Sequence, residues 1–308
     1  DYEVIAVNDG STDGTAEVLA GLKGVKVLTQ QNRGPAAARN AGAQAARGDY
    51  ILFVDDDCVA EKDWAKQMLA PFSDESVVGV QGRYKSRQRE LVARLIHLEI
   101  EERYVKMRNK KYVDHVGTYA AAYRRSVFLA VGGFDENFPI ASGEDIDLSY
   151  KLARAGHKLV FNENAVVWHA HPTSWERYFR VKFWRAFWRV RMYKKHKQKV
   201  VADSYTSQSV KAQIALFYVG VLAFAAGFTF PMAWAAWAAI TVAWLLTLVK
   251  FWWFALQRDL AVGTLVPFVV ALRTSVFGLG FAYGIVKEGL GMGRGCTGKD
   301  RGQGGHVA

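Results

Sequence analysis

The fold is decided by residues 48–64, GDYILFVDDDCVAEKDW. Tyr50–Val54 is an uninterrupted apolar run without a charge, the pattern of a strand. It runs straight into three carboxylates, Asp55, Asp56 and Asp57. Three neighbouring negative charges repel one another. A divalent cation relieves that repulsion, and hard oxygen ligands suit Mg2+ or Mn2+. A solvated acidic turn, or a cap for a helix starting near Glu61, is the competing reading. Ligands of open α/β sheets bind beyond the carboxyl ends of the strands, which is where this triplet lies.

Working outward, "VKVLTQ" and "KLVFNENAVVWH" are further β-like runs. "GTAEVLAGL", "PAAARNAGAQAARG", "DWAKQMLAPF" and "EDIDLSYKLARAG" have helical character. Strand alternating with helix predicts an α/β domain with a mostly parallel sheet over residues 1–172. The chain opens on "DYEVIAVNDGSTDGT", already inside an apolar run that stops at the turn Asn8-Asp9-Gly10. Two cysteines, Cys58 and Cys296, make no disulfide framework and fit a reducing compartment.

The 308 residues carry a formal net charge of +11, which points to nucleic acid, anionic lipid or a phosphorylated substrate. Its distribution chooses among them. Residues 173–199 hold ten Lys/Arg and one acid, interleaved with aromatics. At helical pitch Trp175, Phe179, Phe183, Phe187 and Val190 share a charge-free arc. A basic, aromatic helix over 173–200 suits an interface of anionic lipid. Residues 212–249 contain no charge at all, twice the length of one span. They predict a transmembrane hairpin within 211–256, at about 212–230 and 232–250. A third apolar stretch, 260–286, carries Arg273 and reads as a third span or a re-entrant helix. Residues 287–308 are Gly-rich and predict a disordered tail. The basic block ahead of the first span places the α/β domain in the cytoplasm, on the plasma (inner) membrane, with a multi-pass anchor. Basic residues crowded against a membrane hairpin, rather than lining a groove, argue against a nucleic-acid partner.

Two further pieces carry chemistry. "GEDIDLSYKLARAG" sets Glu144 and Asp145 at the start of a helix, where acids are tolerated by the dipole. His169 ends a β-like run, where a neutral imidazole can complete a metal site. A simple cap and a surface histidine are the competing readings.

Taken together, "VNDGSTDGT", "NRGPAAARNAGAQAARGDYILFVDDD" and "GGFDENFPIASGEDIDLSYKLARAGHKLVFNENAVVWH" resemble the family 2 inverting glycosyltransferases of the GT-A fold, in order and spacing over most of residues 1–172. The resemblance implies a nucleotide-sugar donor (UDP-linked most often), a divalent metal and one transfer with inversion. Asp9 would contact the nucleobase and Arg39 would lie near the diphosphate. Asp55 and Asp57 would form the D-x-D, with Asp57 the more direct metal ligand and Asp56 near the ribose. His169 resembles the third metal-side residue. Asp145 would be the general base, and Glu144 would orient its loop or the acceptor. Arg124 and Arg125 are candidates for the phosphate of a lipid-linked acceptor, or a solvated charge pair. The family's acceptor-side Asn is replaced here by Ala120 or Ala121. The resemblance also implies one more strand ahead of Asp1, so the chain reads as an N-terminally shortened member. The Gln-x-x-Arg-Trp pattern of processive synthases is absent, which favours transfer to a lipid-linked or glycan acceptor over chain extension. A diverged processive synthase and an inactive membrane scaffold are the alternatives.

Overall fold

The computed structural model describes residues 1–138, 141, 143–197 and 208–290. They fall into two compact units. The first comprises Asp1–Lys85 and Met107–Ala170, and the second Ser86–Lys106 with the described part of His171–Gly293.

In the first unit the elements run β1 (Val4–Asn8), α1 (Thr15–Ala20), β2 (Val25–Thr29), α2 (Pro35–Ala45), β3 (Tyr50–Val54), β4 (Cys58–Ala60), α3 (Trp64–Leu69), β5 (Val77–Lys85), and, after helix α4 (Leu91–Arg108), β6 (Ala120–Arg124), α5 (Arg125–Ala130), α6 (Glu144–Arg154) and β7 (Lys158–His169). β1 and β2 form a parallel pair, and the remaining strands form a sheet in the order β3-β6-β5-β7-β4. The α/β class is as expected, but the sheet is mixed rather than mostly parallel. β6 runs antiparallel to β3 and β5, β4 runs antiparallel to β7, and only β5–β7 and β1–β2 are parallel. The helix between β5 and β6 is α4, nearly all of which belongs to the second unit. β5 and β6 thus pair antiparallel although a helix lies between them in sequence, so strand–helix alternation alone does not fix strand direction. β6 escaped the sequence reading because Ala120, Ala121 and Ala122 have low β-propensity; all three are fully buried. Behind the sheet Phe53, Tyr123, Phe128 and Phe134 interlock, with ring centroids 5.2–6.2 Å apart.

The sequence reading placed 86–106 in the first domain. Val92, Leu95 and Leu98 of α4 instead join a cluster with Trp244, Leu248, Val262 and Val266. An i, i+3, i+6 stripe shows that α4 has a buried face, but not which core receives it.

The second unit continues with α7 (Trp175–Lys195), α8 (Gln208–Gly227), α9 (Ala233–Arg258) and α10 (Leu260–Gly289). α7 starts at Ser174, whose side chain accepts from the Arg177 N–H. α8, α9 and α10 are each long and apolar enough to cross a membrane. α9 extends through Lys250 to Arg258, beyond the expected end of the hairpin. α10 is one continuous helix of 30 residues, about 45 Å long. Its second half lies along α7, where Tyr283 packs on Phe183 and Phe187 at 5.9 and 5.5 Å. A Cβ at Gly284 would lie 2.8 Å from the Phe187 carbonyl oxygen, so only glycine admits this approach. Trp188 and Arg189 are buried as well as Phe187 and Val190. α7 is thus enclosed on more than its charge-free arc. Residues 287–289 are helical, Leu290 follows them as the helix cap, and residues 291–308, with Cys296, lie outside the described residues.

Arg273, an unfavourable residue in an apolar helix, is accounted for by α4. Its Nη1 donates to Glu99 Oε1 at 2.6 Å and its Nη2 to Gln213 Oε1 at 3.1 Å. Lys182 Nζ holds the other Glu99 oxygen at 2.6 Å, and the Tyr178 hydroxyl donates to Oε1 at 2.9 Å. Burial alone would raise the Glu99 carboxyl. Lys182 and Arg273 outweigh it and hold the group at about 2.

Candidate active site

The site forms where β3 ends. Pro35 occupies the first turn of α2, where its missing N–H is harmless, and the helix then presents Arg39. The Arg39 Nη2 lies 3.0 Å from Asp55 Oδ1 and its Nη1 2.9 Å from Glu144 Oε1. One half-buried guanidinium therefore ties the acidic strand end to the acidic start of α6. Arg39 and Asp55 are 18% and 15% exposed at the side chain and Glu144 only 2%, so neither pair is a solvent-screened surface contact. Burial pushes the Asp55 carboxyl up, against the pull of Arg39. Glu144 is pushed up to about 7, first by burial and then by the charge of Asp145, again against Arg39. Its Oε2 is buried with no hydrogen-bond partner among the described residues. Asp145 is half-buried, and its Oδ1 accepts from the Ile146 N–H at 2.7 Å. The pair enters the helix through Gly143, at φ 111°, where a Cβ would press on the Phe138 ring at 3.1 Å.

The second half of the site is made by strand pairing. The β4–β7 register sets Cys58 opposite His169. Asp57 Oδ1 then lies 3.3 Å from His169 Nδ1, and Cys58 Sγ lies 3.7 Å from the same nitrogen. The ligand atoms of Asp57, Cys58 and His169 all fall within 4.8 Å of one another. The His169 ring is buried and stacks on Tyr84 at 4.5 Å, which stacks on Tyr119 at 3.8 Å. The bond from His169 holds the Asp57 carboxyl below its usual range, against partial burial. Burial, then Asp57 and Asp55, push the Cys58 thiol well up, so it stays protonated. A carboxylate beside an oriented imidazole fits a divalent cation such as Mn2+. Asp55, expected in this cluster, is committed to Arg39 instead. Residues two apart share a face only while the chain stays extended. Here it turns, with the Cys58 N–H donating to the Asp55 carbonyl at 3.0 Å.

Asp9 follows β1 directly, in the expected turn, and its carboxylate organises the neighbouring loop. Oδ1 accepts from Gln30 Nε2 at 2.7 Å and the Arg33 N–H at 2.9 Å, and Oδ2 from the Gly34 N–H at 2.8 Å. A carboxylate has about four acceptor sites, so one is left for a ligand. Asp56 is exposed in the turn between β3 and β4.

Three residues of the site were not singled out from sequence: Asn40, Cys58 and Tyr84. Asn40 is buried on α2, donates to the Phe134 carbonyl at 2.9 Å and accepts from the Phe134 N–H at 2.9 Å. An Asn inside an alanine-rich helix was the available signal, since its side chain competes with helical hydrogen bonds unless it has a tertiary partner.

Arg124 and Arg125 are not brought to the site. β3 and β6 are antiparallel, with Tyr50 opposite Arg124 and Val54 opposite Ala120. Arg124 therefore lies at the start of β3, about 13 Å along the strand from its acidic end. Its guanidinium bonds the carbonyls of Val77 and Phe72 at 2.8 and 2.9 Å. These bonds join the end of β6 to the start of β5 and to the turn that precedes it, which accounts for Arg124 without an acceptor.

An α/β unit with carboxylates at a strand end, facing an acidic helix start, has the GT-A-like glycosyltransferase fold. A solved mannosyltransferase from Pyrobaculum calidifontis, in complex with GDP-Man and Mn2+, shares that fold: TM-score 0.55 at 20% identity over 90% of this chain and 77% of that one. Residues 1–132 match the family described as Glycosyl transferase family 2. Over 180 residues the chain is 34% identical to the pre-mycofactocin glycosyltransferase of Mycobacterium tuberculosis, covering 56% of this chain and 38% of that protein. Over 195 residues it is 28% identical to the O-antigen chain rhamnosyltransferase WbaN of Salmonella anatum, covering 58% and 60%. The matched stretch spans less than two thirds of the length of either.

Proposed function

We propose that this chain carries out inverting transfer of a sugar from a nucleotide-sugar donor, UDP-linked by the family resemblance, to a lipid-linked or glycan acceptor. The observation that carries the reading is the Arg39 bridge from Asp55 to Glu144. It converges the D-x-D turn and the Glu-Asp pair, as a single displacement requires. The relatives named glycosyltransferases, and the Mn2+ in the Pyrobaculum structure, support it.

In this mechanism Asp145 takes the proton of the acceptor hydroxyl as its oxygen bonds to the anomeric carbon. The bond from that carbon to the diphosphate breaks on the opposite face. Glu144, with its uncommitted Oε2, orients the acceptor side. Arg39 keeps the two acidic motifs at a fixed separation, and Asp9 and Asp56 face the base and ribose. Asp57 and His169 would hold the divalent ion, which when bound neutralises charge on the leaving diphosphate. The basic α7 and the apolar α8–α10 support a multi-pass membrane anchor with the catalytic unit in the cytoplasm.

Asp145→Asn is expected to abolish transfer while sparing donor binding, and Asp57→Ala to weaken metal-dependent donor binding itself. Titrating donor with and without Mn2+ separates the two roles. Equal loss of binding in both variants defeats the assignment. Product length on a defined primer distinguishes single transfer from polymerisation.

A further inference from the structure

A cavity of about 410 Å³ opens within the second unit, between α4, α7, α8, α9 and α10. One wall is apolar: Ile214, Leu248, Phe251 and Phe277 line it, from helices apolar enough to cross a membrane. The rest is strongly cationic, with seven Lys/Arg against two acids. Both acids are already engaged. Glu99 is held by Lys182 and Arg273, and Glu102 by Lys106 at 2.5 Å. Arg185 and Lys250 also line the cavity and have no ion pair among the described residues. By count the lining has five more bases than acids, and the two cations on which the argument stands are Arg185 and Lys250.

Such a site is costly unless an anion enters it, because like charges around one cavity repel. Guanidinium and ammonium groups at close quarters match phosphate oxygens. The volume is that of a ligand larger than a bare anion. The apolar wall, continuous with helices that expose Leu222, Leu246 and Phe268, requires that ligand to be amphipathic. We propose that this cavity binds the phosphate headgroup of an anionic membrane lipid, with the first methylenes of its chain against Ile214, Leu248 and Phe251. Basic pockets between membrane helices on the cytoplasmic side bind such headgroups. The inference rests on reading α8 and α9 as membrane spans and on none of the catalytic assignments.

The test uses the full chain in neutral detergent, with phosphatidylglycerol or phosphatidylcholine of the same acyl chains, and native mass spectrometry to count retained lipid. The wild type is expected to retain phosphatidylglycerol in preference by roughly tenfold or more, because each basic residue near an anionic headgroup adds to the attraction. Arg185→Gln with Lys250→Gln should abolish that preference without changing helix content. Ile214→Trp, which fills the apolar end and keeps every charge, should also reduce retention. Equal retention of the two lipids, or a preference that survives both changes, overturns the proposal. Displacement by millimolar inorganic phosphate alone would show a bare-anion site and overturn the lipid half. Retention needs neither donor nor metal. Absence of the preference in the wild type with transfer present therefore counts against this site only, and absence of transfer with the preference present counts against the catalytic reading only.

Discussion

Replacing Glu99 by Gln should destabilise the second unit by about 3 kcal/mol at neutral pH. The carboxylate is 10% exposed and lies 2.6 Å from both Lys182 and Arg273. Its ordinary value of 4.5 falls to about 2 in the folded chain. That difference corresponds to roughly 3 kcal/mol favouring the charged, folded form. The group is depressed, so its contribution is complete above 4.5 and is lost as pH falls through 2. In Glu99→Gln, Lys182 and Arg273 become two buried cations facing a neutral amide, the arrangement in which breaking a buried pair is most damaging. At about 2–4 °C per kcal/mol for a unit of this size, the thermal midpoint should fall by roughly 6–12 °C. Thermal unfolding of the full chain in neutral detergent, followed by circular dichroism, measures it. The triple change Glu99→Leu, Lys182→Met, Arg273→Met removes all the charge at similar volume and should recover most of the loss. A single variant within a degree of wild type, or a triple variant no better than the single, refutes the reasoning.

Arg39→Lys keeps the charge but reaches only one of the two acids, so transfer should fall roughly a hundredfold with the fold intact, as kcat on a defined primer would show. Glu144 sits at about 7 rather than 4.5, so its proton favours the folded state. That contribution is complete below 4.5 and is lost as pH rises through about 7. Glu144→Gln should flatten this part of the thermal midpoint's pH profile. Gly133 has φ 64°, and a Cβ there would lie 2.5 Å from Asn40 Oδ1. Gly133→Ala should cost about 2–3 kcal/mol in denaturant unfolding of the first unit, from left-handed strain and a displaced buried amide.

Much of the site was legible because its motifs are local. The apolar run of β3 ending in Asp55–Asp57, and the acids that open α6, are properties of adjacent residues and helical period. Arg39 and His169 were singled out as well, but their partners were not. Nothing between Arg39 and Glu144, 105 positions apart, signals that one guanidinium bridges two acidic motifs. Cys58 beside His169 follows from a three-residue antiparallel register that leaves no mark in composition. Arg124 and Arg125 read equally as a phosphate site or a solvated charge pair because sequence does not show which end of a strand faces the cleft. β6 was passed over because its alanines carry a packing requirement, not a strand propensity.

Composition and periodicity alone establish an α/β unit with an acidic strand end, a basic aromatic helix and three long apolar helices, since each of these depends on neighbours within one or two turns. Folding in three dimensions decides the rest: that α4 joins the helical unit, that the sheet is mixed, that Asp55 turns to Arg39 while Asp57 turns to His169, and that Arg273 finds Glu99. These depend on contacts between distant positions. A buried charge or a strand edge accepts whichever partner the packing brings within reach, and a one-dimensional pattern does not specify that partner.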